Sequence, residues 1–456
     1  MTSPPDAGVG QPRRGLAIGA VLAAMSLVVL DAGIANVALP TLTRALAVTP
    51  AQAILVVTAY QTALVMALLP CAALGERFGY RVAFTSGVAV FTAASMLCAI
   101  SASLPVLLAG RFAQGLGGAA IMALGVALLR FSVPPDQLGR AIGWNALTVA
   151  LSAAASPAIG AAILSVADWP WLYAVNLPQG LVVLAATRAL PIATGAVRKI
   201  DLRSIALNAG AFGALVFGAE CMPTRPLGGS LLIALALCLF AALVRREAPK
   251  SAPLFPLDLL RAPSFRLSVV ASVCCFTGQT AGIVALPFYL QHELGQSTLV
   301  TGLYMMAWPL SVAASALWVG RMSERASTAL LCAAGGALLA LGLASAALWP
   351  LRGEPAMLGP LGAVCGFGFA LFQTPNNRNL FLSAPHERSG AAGGMQATAR
   401  LTGQTTGAVL MTLLFATVPI LNLAPRIGLG IGAVLALTGG LVSLSRARPM
   451  AVPDNE

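Results

Sequence analysis

Charge is what this sequence has least of. Only 9% of its 456 residues are Asp, Glu, Lys or Arg, against about 25% in a typical soluble domain. With 58% hydrophobic residues and a mean hydropathy of +0.85, a water-soluble fold is excluded. Histidine occurs twice, as His292 and His386, and the eight cysteines form no C-x-x-C spacing. A zinc module and a disulfide scaffold are therefore not expected, and neither is a metal site or cofactor. No polar stretch is longer than a loop and no nucleophile–base constellation appears, which leaves a membrane enzyme or sensor as a remote reading. The net charge of +12 comes from basic residues scattered through short loops, so nucleic acid is not an expected partner.

What is abundant is long apolar runs. At 1.5 Å rise per residue, roughly 20 residues cross the ~30 Å hydrocarbon core of a bilayer. Fourteen runs between turn signals meet that description: 15–38, 52–73, 83–103, 106–130, 141–164, 171–188, 204–220, 228–244, 267–289, 299–320, 328–349, 356–381, 389–418 and 427–444. The expected fold class is an all-α polytopic membrane protein with 14 transmembrane helices, each satisfying its own backbone groups. The first run follows Arg13 and Arg14 but is too long for the apolar region of a signal peptide, and is expected to stay as a span. The seventh is polar at both ends ("IDLRSIALNAGAFGALVFGAE").

Basic residues orient the spans. With the N-terminus inside, 21 of the 27 Lys and Arg residues fall on the inner side. Four (Arg44, Arg225, Arg352 and Arg426) fall outside, and Arg111 and Arg400 fall within spans. Both termini are then expected in the cytoplasm.

The loop after span 2, "AALGERFGYR", and that after span 10, "GRMSERAS", align at Glu76-Arg77 and Glu324-Arg325, 248 residues apart. That offset superposes spans 1–6 on spans 9–14. The organisation expected is an N-terminal six-helix half (1–190), two inserted helices with a cytoplasmic linker (191–262) and a C-terminal six-helix half (263–456), as in transporters built from repeats.

Several segments resemble one family. "GERFGYR" resembles the span 2–3 loop signature of the major facilitator superfamily, G-x-L-a-D-R-x-G-R-R, and "RFAQGLGGAA" its span 4 signature. "VLDAGIANVALP" and "DWPWLYAVNLPQG" are similar to segments of the fourteen-span drug:proton antiporters, L-D-x-T-I-V-N-V-A-L-P and W-R-W-x-F-x-x-N-x-P-x-G. "LPFYLQHELGQS" fits the second half of that family as well. The resemblance covers nearly the whole chain. It implies a major facilitator fold and multidrug efflux by drug:proton antiport in the plasma (inner) membrane, with a small-molecule substrate and protons as partners. Export of a single endogenous metabolite is the alternative. A monomer is expected. The departures are local: Glu76 stands where the family has Asp, Tyr80 replaces an Arg, and Gly33 replaces the Thr two after the buried Asp. In the antiport signature G-P-x-x-G-G only Pro157 and Gly160 remain, with Ser156 and Ala161 where the family has Gly.

Asp31 is the residue that needs a reason, because a carboxylate at mid-membrane costs about 2.5–3.5 kcal/mol on insertion scales. It lies ~22 Å along span 1 and therefore about 8 Å from the outer face. Arg111, five residues into span 4, is at the same level, so a direct or water-bridged pair is expected. If rocking of the halves changes its partner or its hydration, its proton affinity changes too, which makes Asp31 and Arg111 the proton-coupling candidates. A static pair that only locks packing is the plainer reading. Glu76, Arg77, Arg81, Glu324 and Arg325 are candidates for a gating loop. Arg400, at ~18 Å depth in span 13, could meet a carbonyl, a substrate anion or Asp31. Asn36, Gln61, Gln114, Asn145, Gln279, Gln373 and Gln396 are candidate cavity residues, though each alone reads first as interhelical glue. With Asp31 the only acid expected deep in a span, neutral or monocationic substrates are the expected class.

Overall fold

The computed structural model describes residues 11–192, 201–248, 259–348, 355–384, 389–418, 420 and 423–447. Arg198, Lys199, Lys250, Arg352, Arg388, Arg448 and His386 lie outside them. Regular structure among the described residues is helical. The first part of the chain forms α1 (Gln11–Ala45), α2 (Pro50–Phe78), α3 (Tyr80–Ala99), α4 (Leu104–Ser132), α5 (Pro135–Val166), α6 (Trp171–Ala174) and α7 (Asn176–Ala186). Two helices follow, α8 (Leu202–Cys221) and α9 (Pro226–Glu247). The last part forms α10 (Pro263–Phe288), α11 (Thr298–Arg325), α12 (Thr328–Leu348), α13 (Leu358–Leu382), α14 (Ser389–Thr417) and α15 (Leu423–Leu444).

Eleven helices among the described residues are long and apolar enough by themselves to cross a membrane. The other three expected spans differ for visible reasons. Span 6 is cut at Val175 into α6 and α7. Helices α13 and α14 are long, but each carries a polar stripe, including Gln373, Asn376 and Asn379 on one and Gln396, Arg400 and Gln404 on the other. Helix starts follow local chemistry. Thr49 and Gln52 form a capping box before Pro50, and the Ser297 side chain accepts the Val300 N–H at the start of α11.

The joint between α2 and α3 departs from the expected loop. Glu76 and Arg77 sit in the last turn of α2, and Gly79 alone breaks the helix, at φ 93°, a conformation that favours glycine. Tyr80, where the family pattern has Arg, packs against Phe131 of α4 with ring centres 5.1 Å apart and the planes tilted by 48°.

Within the first part, α2 and α3 pack on α4, and α1 packs on α5; within the last, α12 packs on α13 and α15, and α10 on α14 and α15. Between the two parts, α5 crosses α11 and α2 crosses α14. At the end of the bundle remote from the chain termini, Leu39, Ile54 and Ala161 share one buried cluster with Phe288, Met305 and Phe415. At the other end, a cluster of Leu259, Phe265, Leu380, Ala392 and Met395 draws on the last part alone.

The polar ends of span 7 have partners. Asp201 caps α8 through the Ser204 N–H and accepts two hydrogen bonds from Arg246 of α9, at 3.1 and 3.2 Å. Ser204 also donates to Glu247, which is fully buried. Glu247 is thus a second fully buried acid, but it is the last residue of α9 and lies beyond span 8, so Asp31 stays alone among the acids expected deep in a span. Helix α8 docks on α2, where Asn208 donates to the Met66 carbonyl at 3.2 Å.

Candidate functional site

Asp31 and Arg111 are in contact, Arg111 Nη1 lying 2.5 Å from Asp31 Oδ2, and each is 1% exposed. The same Nη1 donates to Gln114 Oε1 at 2.7 Å, and Nε donates to the Val56 carbonyl of α2 at 3.1 Å. The guanidinium lies 4.3 Å from the Tyr60 ring centre and 5.6 Å from that of Tyr173, both within cation–π range. The other carboxylate oxygen, Oδ1, accepts Asn176 Nδ2 at 2.8 Å and Gln114 Nε2 at 3.1 Å. Gln114 Nε2 donates in addition to Ser95 Oγ at 2.7 Å.

This arrangement is a closed polar knot inside the first part of the molecule, made by α1, α3, α4 and α7 with a carbonyl of α2. A buried ion pair holds together only when its remaining lone pairs and protons are matched, and here three donors meet Asp31. Glycines make the approach possible: a Cβ on Gly115 would run into the Tyr60 carbonyl, and one on Gly118 would come within 3.0 Å of the Tyr60 hydroxyl.

The shared level of the two charges agrees with the depth estimate. Both are enclosed within the first part of the molecule, where the carboxylate meets Asn176 of α7 and Gln114 carries the network on to Ser95 of α3. Gln114, expected as a cavity candidate or as glue, is a member of the knot. Asn176 was missed as a site residue, although it sits inside "DWPWLYAVNLPQG"; the signal was the Asn of that segment, and the break at Val175 aims it at Asp31.

The remaining candidates are spread out. Asn36 donates to the Ala32 carbonyl of its own helix, and its Oδ1 is buried without a partner, as are Gln61 Oε1 and Asn145 Oδ1. Gln279 and Gln373 are half-buried. Gln396 donates to Asn377 at 3.4 Å. Arg400 is half-buried, with Nε enclosed and unpaired. Glu76 and Arg81 are half-buried and Arg77 and Arg325 exposed; Glu324 lies in the last turn of α11. Gly160 packs against the α1 backbone, where an added Cβ would come within 3.2 Å of Ile34 Cα, and the Pro157 carbonyl faces Gly302 of α11.

The chain is 43% identical over 417 residues to the uncharacterized transporter YebQ of Escherichia coli, covering 89% of this chain and 90% of the relative. It is 32% identical over 402 residues to the multidrug resistance protein Stp of Mycobacterium tuberculosis, covering 86% and 74%. It is 27% identical over 391 residues to the riboflavin transporter RibZ of Clostridioides difficile, covering 85% of each. A crystal structure of a POT family transporter in complex with a thioalcohol-conjugated peptide has the same fold. Its TM-score is 0.74 at 15% identity, over 95% of this chain and 96% of the other. The family model described as Major Facilitator Superfamily matches residues 16–408. The chain is a multi-pass membrane protein that belongs to the major facilitator superfamily, a family of transporters.

Proposed function

We propose that this protein is a proton-coupled secondary active exporter of amphipathic organic compounds, a drug:proton antiporter of the plasma (inner) membrane with both termini cytoplasmic. The observation that carries the reading is Asp31, a carboxylate held by Arg111, Gln114 and Asn176 in a site that excludes water. An ionised Asp31 suits all three donors. A proton on it takes an acceptor away from Arg111 and loosens the joint among α1, α4 and α7. Proton occupancy and helix packing are therefore linked, and linkage runs both ways. The two halves, 1–190 and 263–456, rock about the α5–α11 and α2–α14 crossings, while the pair inserted within 191–262 rides on α2. The shared cluster at the remote end fits a state closed to the outside. Glu76, Arg77, Arg81, Glu324 and Arg325, at the two repeated helix joints, act in gating, and the working unit is a monomer.

Relatives named for multidrug resistance support a broad substrate range. The relative named for riboflavin transport supports a second reading, export of one metabolite. A growth-inhibition panel in a host lacking its own pumps, with and without the gene, separates them. Raised tolerance to several unrelated amphipaths supports the first reading, tolerance to a single compound the second, and no change in tolerance or efflux contradicts export.

A further inference from the structure

We infer that Arg400 is the anion-binding residue of the transport site, so that the preferred substrate carries a carboxylate or a comparable anionic group on its apolar body. The inference rests on the proposed transport function for the existence of such a site, and it replaces the neutral or monocationic class expected from the sequence.

Arg400 lies eleven residues into α14, about 17 Å along the helix axis. Among the described residues no ion pair or hydrogen bond reaches its guanidinium, and its Nε is enclosed. Other arginines of the bundle are engaged. Arg111 has Asp31, Gln114 and a carbonyl; Arg378 donates to the Ser323 carbonyl at 2.8 Å; Arg446 donates to Asn376 at 3.0 Å. An unpaired guanidinium this deep is costly, and such charges are kept where they meet a ligand or a transported ion.

What it lacks is an acceptor. Tyr60 of α2 and Leu401, the residue after Arg400, belong to one buried cluster, and the Tyr60 hydroxyl is likewise buried without a hydrogen-bond partner. Arginine has five N–H donors and no acceptor, and a tyrosine hydroxyl has one proton to give. Asp31 does not serve: its oxygens are held by Arg111, Gln114 and Asn176 inside the first half, and no contact with Arg400 forms. Tyr60 of the first half and Arg400 of the second thus each hold an unmatched donor, and an anionic oxygen pair is the group whose chemistry would match them. A guanidinium is suited to gripping a carboxylate through two parallel N–H bonds. A cationic headgroup at the same place would be repelled.

The test uses three probes with one apolar body: 1-naphthylacetate, 1-naphthylacetamide and 1-naphthylmethyl-trimethylammonium. Binding is read on the purified, detergent-solubilised protein as the shift of its unfolding temperature with probe concentration. The expected result is that the wild type binds the carboxylate about tenfold or more tighter than the amide, the strength expected of a charged hydrogen-bonded contact. Arg400→Gln abolishes the preference and Arg400→Lys keeps part of it. Amide affinity changes little in either variant, which shows that the fold has survived. Equal binding of carboxylate and amide, no binding of the carboxylate, or a preference that persists in Arg400→Gln overturns the inference. Efflux of the same probes from cells tests export separately. Efflux indifferent to Arg400→Gln for all three leaves export standing and removes the anion assignment. Arg400-dependent binding without any efflux does the reverse.

Discussion

Gly33 of α1 and Ser156 of α5 occupy a single contact: a Cβ built on Gly33 would overlap the Ser156 side chain. Both positions depart from the family pattern, Gly for Thr on one helix and Ser for Gly on the other. The bulk has changed sides. Ala161, which also replaces a family glycine, meets Gly302 of α11 in the same way. The antiport segment that looks eroded in sequence keeps its close helix approach because its new side chains face glycines.

It follows that Gly33→Thr overpacks the α1–α5 contact and destabilises the protein by about 1–3 kcal/mol, the usual cost of inserting atoms into a filled interface. Ser156→Gly in the same chain should restore stability and expression. Thermal unfolding of the two single variants and the double variant checks this, and additive losses would show that the residues do not share the contact.

Arg111→Ala strands the buried Asp31 charge and should cost about 3–5 kcal/mol, or prevent folding. Adding Asp31→Asn removes the stranded charge and should recover stability. Proton-coupled transport should not return. A double variant that pumps uphill on a proton gradient would show that neither charge carries the coupling.

Asn176→Leu deprives Asp31 Oδ1 of its 2.8 Å donor while keeping the branching and heavy-atom count of the side chain. A hydrogen bond to a charged group is worth about 1.5–3 kcal/mol, so the loss of stability should be smaller than for Arg111→Ala. Since Asn176 is buried in the knot, KM should change little. A large rise in KM with unchanged stability would place it in the substrate site instead.

Glu76 has no ion pair in this state among the described residues, and it lies at the α2–α3 joint, remote from the knot. Glu76→Gln should lower kcat several-fold and leave KM nearly unchanged, the signature of a residue that acts on the conformational step. Vesicle uptake measured over a range of substrate concentrations separates the two constants.

Much of the architecture was legible in the sequence because each span must satisfy its own backbone and carry its own apolar surface. Span boundaries fell close to the helix ends, and helical rise alone put Asp31 and Arg111 at one level. The direction in which the pair faces was not legible. It depends on the glycines of α4, which let α2 close over Arg111, and on the break at Val175, which a hydropathy pattern does not register. The burial of Glu247 was unreadable for a similar reason, since its Ser204 partner comes from another helix, α8. Arg400 stood out as a lone charge within a span, but only the structure shows that no group among the described residues answers it.

The most direct measurement is substrate-driven proton movement in vesicles containing wild-type protein or Asp31→Asn, followed with a pH-sensitive dye trapped inside. The substitution is nearly isosteric but leaves the Arg111 charge without its counter-ion, so the two preparations are compared at equal amounts of folded protein. Substrate addition should shift the internal pH in wild-type vesicles and leave it unchanged with Asp31→Asn. Equal pH changes in the two preparations would contradict the assignment of Asp31 as the coupling site.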